Sequence, residues 1–390
     1  MKSSYEFNIS LVRNLSAKKV LQLMIPVCQD LGISRISETN GYVDLEVSIV
    51  SATRAAIDFR QVSSTQGKGF DIKSAAVGAL VEALERYCAS HIDQRLKVYG
   101  GCGRDPDGNA LNKMYLYNKS CHPEEWFLGT DLRTKKIAWV PMLEVAFPYQ
   151  KSPSDPILIN PHTSGLAAGA SIEEASLYAL LEIYERHYTS LFYRNVRKKN
   201  TGQFIDLDSI PDSRCKKLIE DMRTQGYELL IFRLGGFLPT YYVATLDTRY
   251  LAPRFMIAGT GTGLSEFDAL ESALLECIQG LVTALAGGRE DLERSRSKYN
   301  SKSCSGRNIF YEVLNVLQSQ NEEGVFSPMN PQIMTCDSAW DEIFPLLVQK
   351  ITCPLVLCDL TRNEFPLSVV KLVAPSLNDW IVNPYRGRVC

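Results

Sequence analysis

The chain has 390 residues, 45% of them hydrophobic and 22% charged, with a formal net charge of -2, the balance of a globular protein that buries one large core or two coupled ones. Such a charge offers no general attraction to phosphate backbones or anionic lipid, so nucleic acid is not the expected partner. The opening MKSSYEFNIS has no apolar stretch after its lysine, and nowhere do roughly 18 apolar residues follow one another as in a membrane span. A cytoplasmic protein without a membrane partner is expected. Eleven cysteines make an odd count in a chain too large to need staples, which points to reduced thiols. No CxxC pair exists, and the weak candidates for zinc are Cys353 with Cys358 on an apolar, strand-like run, and Cys121 with His122 near Cys102 in a polar loop.

In chain order, the first predicted element is an amphipathic helix from Ala17 to Leu31, with Ser16 as N-cap, Gly32 closing it and Pro26 kinking it. Residues 1–60 read as an N-terminal helix and strand segment attached to one large core domain, 61–390. Three related stretches punctuate that core: QGKGFDIKSAAVGALVEALER (66–86), AAGASIEEASLYALLEIYER (167–186) and GTGLSEFDALESALLECIQ (261–279). They align Gly69, Gly169 and Gly263; Ala75/Ala79, Ala175/Ala179 and Ala269/Ala273; and Glu82, Glu182 and Glu276. Each reads as a glycine-containing loop followed by a proline-free helix of strong helix formers. Alanines four apart leave one helical face small enough for close packing, expected here against a neighbouring helix. Between and after the repeats, YELLIFRL (227–234), YYVATLD (241–247), CPLVLCDL (353–360) and LSVVKLVA (367–374) are short apolar or β-branched runs typical of strands. Residues 100–125, 148–162 and 287–308 are polar, turn-rich loops that leave room for a peptide. The fold class is therefore α+β, with helices packed on sheets.

The acids carry the chemistry. Glu82 and Glu85 are three apart, as are Glu182 and Glu185, and Gln279 takes the second place beside Glu276. If the three helices converge, five carboxylates meet, and ionised carboxylates are not buried together without a counter-charge. A divalent cation is the natural partner, and all-oxygen ligands suit Mg²⁺. A di-iron site is disfavoured, since that bundle uses Glu-x-x-His. The competing reading is a solvated face on which Glu82–Arg86 and Glu182–Arg186 form i,i+4 pairs worth only about 0.3–0.5 kcal/mol each.

These segments resemble the three ATP-site signatures of the YcaO family. QGKG with EALER is similar to the first, SGLAAGASIEEA with LLEIYERH to the second, GTGTGLSEFDALESALLECIQ with GGREDL to the third, and LSVVKLVAPSL to the family's late strand. The resemblance implies a YcaO-type fold around an ATP and Mg²⁺ site. Metal roles then fall to Glu82, Glu85, Glu182 and Glu185, and nucleotide contacts to Lys68, Glu174, Arg186, Glu276, Gln279 and Arg289. No Walker sequence GxxxxGK[ST] is present. Two departures stand out: Ala170 occupies a place usually held by Asn, so one polar contact is missing or supplied from elsewhere, and the chain ends NPYRGRVC rather than in the proline-rich tail of many azoline-forming members.

The family likeness also implies a reaction. A nucleophile adds to a backbone amide of a ribosomally made peptide, the oxyanion takes the γ-phosphoryl of ATP, and phosphate leaves. The nucleophile is a neighbouring Cys, Ser or Thr side chain, giving an azoline, or external sulfide, giving a thioamide. The stretch LGISRISETNGYVDLEVSIVSATR is similar to members that work with a TfuA-type partner, which favours the thioamide branch. A precursor peptide is the substrate, a TfuA-type or E1-like peptide-recognition protein is the expected partner in trans, and a homodimer is a permitted assembly. No enzyme nucleophile is assigned, and His91, His162 and His187 are the candidates for a general base. The rival classes are an ATP-using enzyme acting on a small molecule, and a non-enzymatic scaffold whose acids are merely solvated.

Overall fold

The computed structural model describes residues 8–55, 62–93, 97–99, 123–153, 155, 160–195, 202–247, 256–287, 323–326, 328, 330–377 and 379. Its first half runs β1 (Ile9–Val12), α1 (Ala17–Met24), β2 (Ile33–Glu38), β3 (Ser48–Arg54), β4 (Ser64–Gly69), α2 (Ile72–Ser90), β5 (Lys97–Tyr99), β6 (Glu125–Asp131), β7 (Ile137–Pro141), β8 (Leu166–Gly169) and α3 (Ile172–Asn195). Its second half runs β9 (Gly202–Ile205), α4 (Arg214–Thr224), β10 (Tyr227–Leu234), β11 (Thr240–Asp247), β12 (Met256–Thr262), α5 (Glu266–Ala286), β13 (Glu323–Gly324), β14 (Gln332–Thr335), α6 (Cys336–Glu342), α7 (Phe344–Gln349), β15 (Val356–Asp359) and β16 (Ser368–Val373). Each of the four strand-like runs read from the sequence contains a strand, although in 353–360 it covers only Val356–Asp359.

The chain divides into two compact units, Met1–Ser10 with Gly32–Leu80 and Leu191–Ile333, and Leu11–Leu31 with Val81–Ser190 and Met334–Cys390. The first unit holds a three-stranded sheet, β2-β3-β4, and a five-stranded sheet, β12-β11-β10-β9-β13. The second holds a six-stranded sheet, β5-β6-β15-β16-β8, with β7 paired to β6. Within these sheets every neighbouring pair is antiparallel except β9 with β13.

Each glycine-containing stretch is a strand rather than a loop, and each is an edge strand: β4, β12 and β8 end their respective sheets. The helix that follows each strand folds back on it. A Cβ placed on Gly69 would lie 3.3 Å from Ala75 N, on Gly169 2.6 Å from Ala175 N, and on Gly263 3.1 Å from Ala269 N. At Gly67 a Cβ would come within 1.9 Å of Ala75 O. The small alanine face is thus used by the repeat's own strand, not by a neighbouring helix. That explains why glycine and alanine occur together: one without the other would hold strand and helix backbones apart.

In the first unit α5 is the core helix, with Ala269, Leu270, Ala273, Leu274, Cys277 and Ile278 inaccessible among Ile49, Ile219, Ile231 and Val243. Among the described helices it alone is long and apolar enough to cross a membrane. Its sequence reads as it does because it is buried, and Glu266 near its start is held by Arg233 Nε at 3.1 Å and by the Tyr241 hydroxyl. In the second unit Phe127, Leu180, Tyr184, Val369 and Val370 are buried, and the Tyr184 hydroxyl donates to Leu347 O at 2.7 Å.

The N-terminal helix begins as expected, with Ser16 Oγ accepting from Lys19 N–H at 3.3 Å. It is shorter than expected. Pro26 brings no N–H and its ring crowds the preceding turn, so the α-helix stops at Met24 and continues as a 3₁₀ turn, Ile25–Val27. Gly32 follows at φ +73°, the left-handed conformation anticipated for the closing glycine.

Candidate functional site

In the second unit, helices α2 and α3 present their acids to the backbone around β8. Glu85 Oε1 accepts from Ala168 N–H at 2.8 Å, satisfying an outward-facing donor of that edge strand. Glu182 Oε2 accepts from Gly165 N–H at 2.9 Å, and its Oε1 lies 3.5 Å from Arg186. Glu82 Oε1 accepts from Arg86 at 3.1 Å. Burial, and then the neighbouring negative charge of Glu82, push the Glu85 carboxyl up to about 8, with Glu182 adding to the rise and the Ala168 N–H opposing it. Burial also raises Glu182, against the opposing influence of Arg186, Gly165 N–H and Lys371. Glu185 lies half-buried on the next turn of α3.

This group fits a hard cation. Glu82 and Glu182 both act on Glu85 electrostatically, so three carboxylates from two helices share one neighbourhood, with Arg86 and Arg186 beside them. Among the described residues no group of three or more His, Cys, Asp or Glu side chains is placed to hold a metal ion by itself. Mg²⁺ does not need one, since it keeps waters and is bound by one or two carboxylates together with phosphate oxygens. The N–H groups of Ala168 and Gly165 fix the direction of each carboxylate, as outer-sphere partners do at metal sites.

In the first unit the third repeat is arranged differently. Lys68, on β4 rather than in a turn, places Nζ 3.0 Å from Glu276 Oε2, with both side chains partly exposed. Further along α5, Thr283 Oγ1 lies 2.6 Å from both Gln66 Oε1 and the Gln279 carbonyl. Gln279 itself is half-buried, and Arg289 lies outside the described residues.

Glu174 is engaged within the protein. It is 3% exposed, accepts from Arg13 at 3.0 Å and from Asn14 N–H at 3.1 Å, and Arg13 also lies 3.3 Å over the Tyr178 ring. The residue therefore ties the segment before α1 to α3. Among the histidines, His91 is exposed and stacks on Tyr87 at 4.1 Å, while His187 is half-buried against Tyr188. His162 is buried with Nε2 3.0 Å from Glu144 Oε2. Cys353 and Cys358 are free thiols, and Cys102, Cys121 and His122 lie outside the described residues.

Four polar residues escaped the sequence reading: Glu144, Ser164, Lys371 and Asp379, all buried around the segment 162–165. One signal was visible, a single lysine inside the apolar strand SVVKLV.

The chain belongs to the YcaO family: the model of the YcaO cyclodehydratase, ATP- and Mg²⁺-binding, matches residues 66–378. It is accordingly an enzyme of the cyclodehydratase kind, with ATP and Mg²⁺ as its cofactors. An uncharacterized protein of Methanothermobacter thermautotrophicus is 25% identical over 370 residues, 91% of this chain and 92% of that one. An uncharacterized protein in the tfuA 3′ region of Rhizobium leguminosarum bv. trifolii is 23% identical over 374 residues, 92% of this chain and 87% of that one. Among solved structures, YcaO from Methanopyrus kandleri bound with AMPPCP and Mg²⁺ superposes with a TM-score of 0.73 at 18% identity, covering 98% of this chain and 96% of that chain. A heterocyclase in complex with substrate and cofactor gives a TM-score of 0.70 at 17% identity, covering 94% of this chain and 53% of that chain. The α+β fold is the YcaO fold.

Proposed function

We propose that this enzyme activates a backbone amide of a ribosomally made peptide by transferring the γ-phosphoryl of ATP to the amide oxygen, so that oxygen departs as phosphate and the carbon keeps its new nucleophile. The observation that carries the site is the Glu82, Glu85 and Glu182 group, where burial and mutual repulsion leave Glu85 protonated near neutrality until a cation arrives. In this reading Glu82, Glu85, Glu182 and Glu185 hold Mg²⁺, and Arg186, Lys68, Glu276, Gln279 and Arg289 serve the nucleotide. Magnesium supplies neutralisation of charge on the phosphate oxygens, the main requirement of phosphoryl transfer. The protein's own part is to orient: Ala168 and Gly165 N–H aim two carboxylates, and Arg86 and Arg186 balance charge beside them. Glu174, held by Arg13 and Asn14, anchors α3 and keeps its place among the residues that serve the nucleotide.

The relative in the tfuA 3′ region supports a TfuA-type partner and sulfide as the nucleophile, so thioamide formation is the favoured product. The solved Escherichia coli microcin synthetase McbBCD complex, similar in fold at a TM-score of 0.62, supports the azoline alternative and a peptide-recognition partner. A cytoplasmic setting suits ATP as the co-substrate. Incubating the protein with ATP, Mg²⁺ and candidate peptides, with and without sulfide and partner, and weighing the peptide decides between them. Exchange of one oxygen for sulfur identifies a thioamide, loss of one water identifies a ring, and ATP turnover with no change in any peptide sinks both.

A further inference from the structure

The segment between His162 and Gly165 is gripped by more buried polar chemistry than a turn needs. Lys371, fully inaccessible in the middle of β16, donates from Nζ to His162 O at 2.8 Å. The His162 ring lies between two buried carboxylates, with Nε2 3.0 Å from Glu144 and Nδ1 3.8 Å from Asp379. Ser164 Oγ donates to Asp379 Oδ2 at 2.7 Å. Leu372 N–H donates to Gly165 O at 2.8 Å, and Gly165 stands at φ +80° with no room for a Cβ, which would meet Leu372 O at 2.4 Å. The next donor in the chain is Gly165 N–H, which reaches Glu182 Oε2.

A buried ionic network of this kind is a poor way to gain stability, because apolar residues of the same volume do as well or better once desolvation is counted. What it offers is a unique arrangement: His162, Ser164 and Gly165 are each reached through side chain, carbonyl or N–H, and the Gly165 N–H holds a carboxylate of the acid group. We propose that Lys371, Asp379 and Ser164 are positioning residues for Glu182, fixing the 162–165 segment so that the Gly165 N–H aims the Glu182 carboxylate at the cation. This rests on the reading of Glu182 as a magnesium ligand. Lys371 also lies close enough to favour the ionised form of Glu182, whereas Asp379 opposes it, so the effect of losing either is not predicted by charge alone but by loss of the shared geometry.

The test uses the full chain and a non-hydrolysable ATP analogue titrated with Mg²⁺, read by calorimetry, with thermal unfolding of the metal-free protein alongside. Lys371→Met and Asp379→Asn are each expected to raise the Mg²⁺ concentration for half-saturation by about 10-fold or more, the usual cost of losing an outer-sphere partner. In a Glu182→Gln background the same changes add less than about twofold, because they act through the residue already altered. Should Lys371→Met fail to fold, Ser164→Ala, which removes one hydroxyl, is expected to shift Mg²⁺ dependence in the same direction. Variants that lower only the melting temperature, or whose effects multiply with Glu182→Gln, overturn the proposal and leave the metal reading intact. A Glu182→Gln protein with unchanged Mg²⁺ dependence overturns both.

Discussion

The second and third repeats share a sequence pattern and a strand-then-helix build, yet their acids end in opposite circumstances. In the second unit Glu182, together with Glu82 and Glu85 from the first repeat, stands among like charges and backbone N–H groups, and Glu85 is driven towards its protonated form. In the first unit Glu276 already has a cation, Lys68, at 3.0 Å and is partly open to water. Electrostatics separates the two regions that alignment makes equivalent: in one, three carboxylates share a neighbourhood with Arg86 and Arg186, and in the other a single acid is paired with a lysine. A repeat conserves geometry, and its neighbours decide chemistry.

The largest expected difference between the regions is catalytic. Glu85→Gln is expected to lower kcat/KM for ATP turnover about 100-fold or more, roughly 3 kcal/mol, as for loss of a group that organises charge in the transition state. Glu276→Gln, which leaves Lys68 in place, is expected to lose only about tenfold by the same scale. Steady-state kinetics on both variants checks the contrast, and equal losses would dissolve it.

Next in size is the feature both regions share, the close contact of a glycine strand with its own helix. Gly67→Ala forces a Cβ to within 1.9 Å of Ala75 O and is expected to cost about 2–3 kcal/mol by overpacking. Gly32→Ala meets no neighbour and is strained only by its φ of +73°, so about 1 kcal/mol is expected. Denaturant midpoints of the two variants, at unchanged slope, give the comparison.

The smallest expected effect is on pH dependence. Unfolded, Glu85 gives up its proton near 4.5; folded, it keeps it up to about 8. The metal-free folded state therefore binds the extra proton between those values, and its stability falls as pH rises through that window. The raised Glu182 acts in the same direction. Glu85→Gln is expected to flatten the slope, saturating Mg²⁺ with nucleotide to flatten it in the unaltered protein, and Glu276→Gln to leave it as it was. Thermal unfolding from pH 5 to 8.5 reads this, and a slope unchanged by Glu85→Gln would remove Glu85 as its source.

Much of the fold was legible because the relevant signals are local. The strands at 227–234, 240–247 and 368–373 follow from apolar and β-branched runs, and the three repeat helices from alanine, leucine and glutamate without proline. Pro26 marks a disruption from the sequence alone, and in the fold the α-helix ends at Met24 and passes into a 3₁₀ turn. The glycine stretches were read as loops because glycine is a poor strand former in isolation; their strand character comes from partners distant in sequence, such as Ser48 to Thr53 for β4 and Ser368 to Lys371 for β8. Glu174 was grouped with the nucleotide residues by likeness alone, and only folding brought Arg13 and Asn14 to it.

By itself the amino-acid sequence determined the three repeat helices, the strands at the apolar runs, the family and the identity of the acids that repeat, since each depends on residue type and spacing along one segment. Only the tertiary structure decided which acids come together beside β8 and which pairs with a lysine, that the alanine faces serve their own strands, and that a buried lysine, serine and aspartate surround the segment holding Glu182. Those outcomes depend on burial and on distances between residues far apart in the chain, and spacing along the chain carries no information about either.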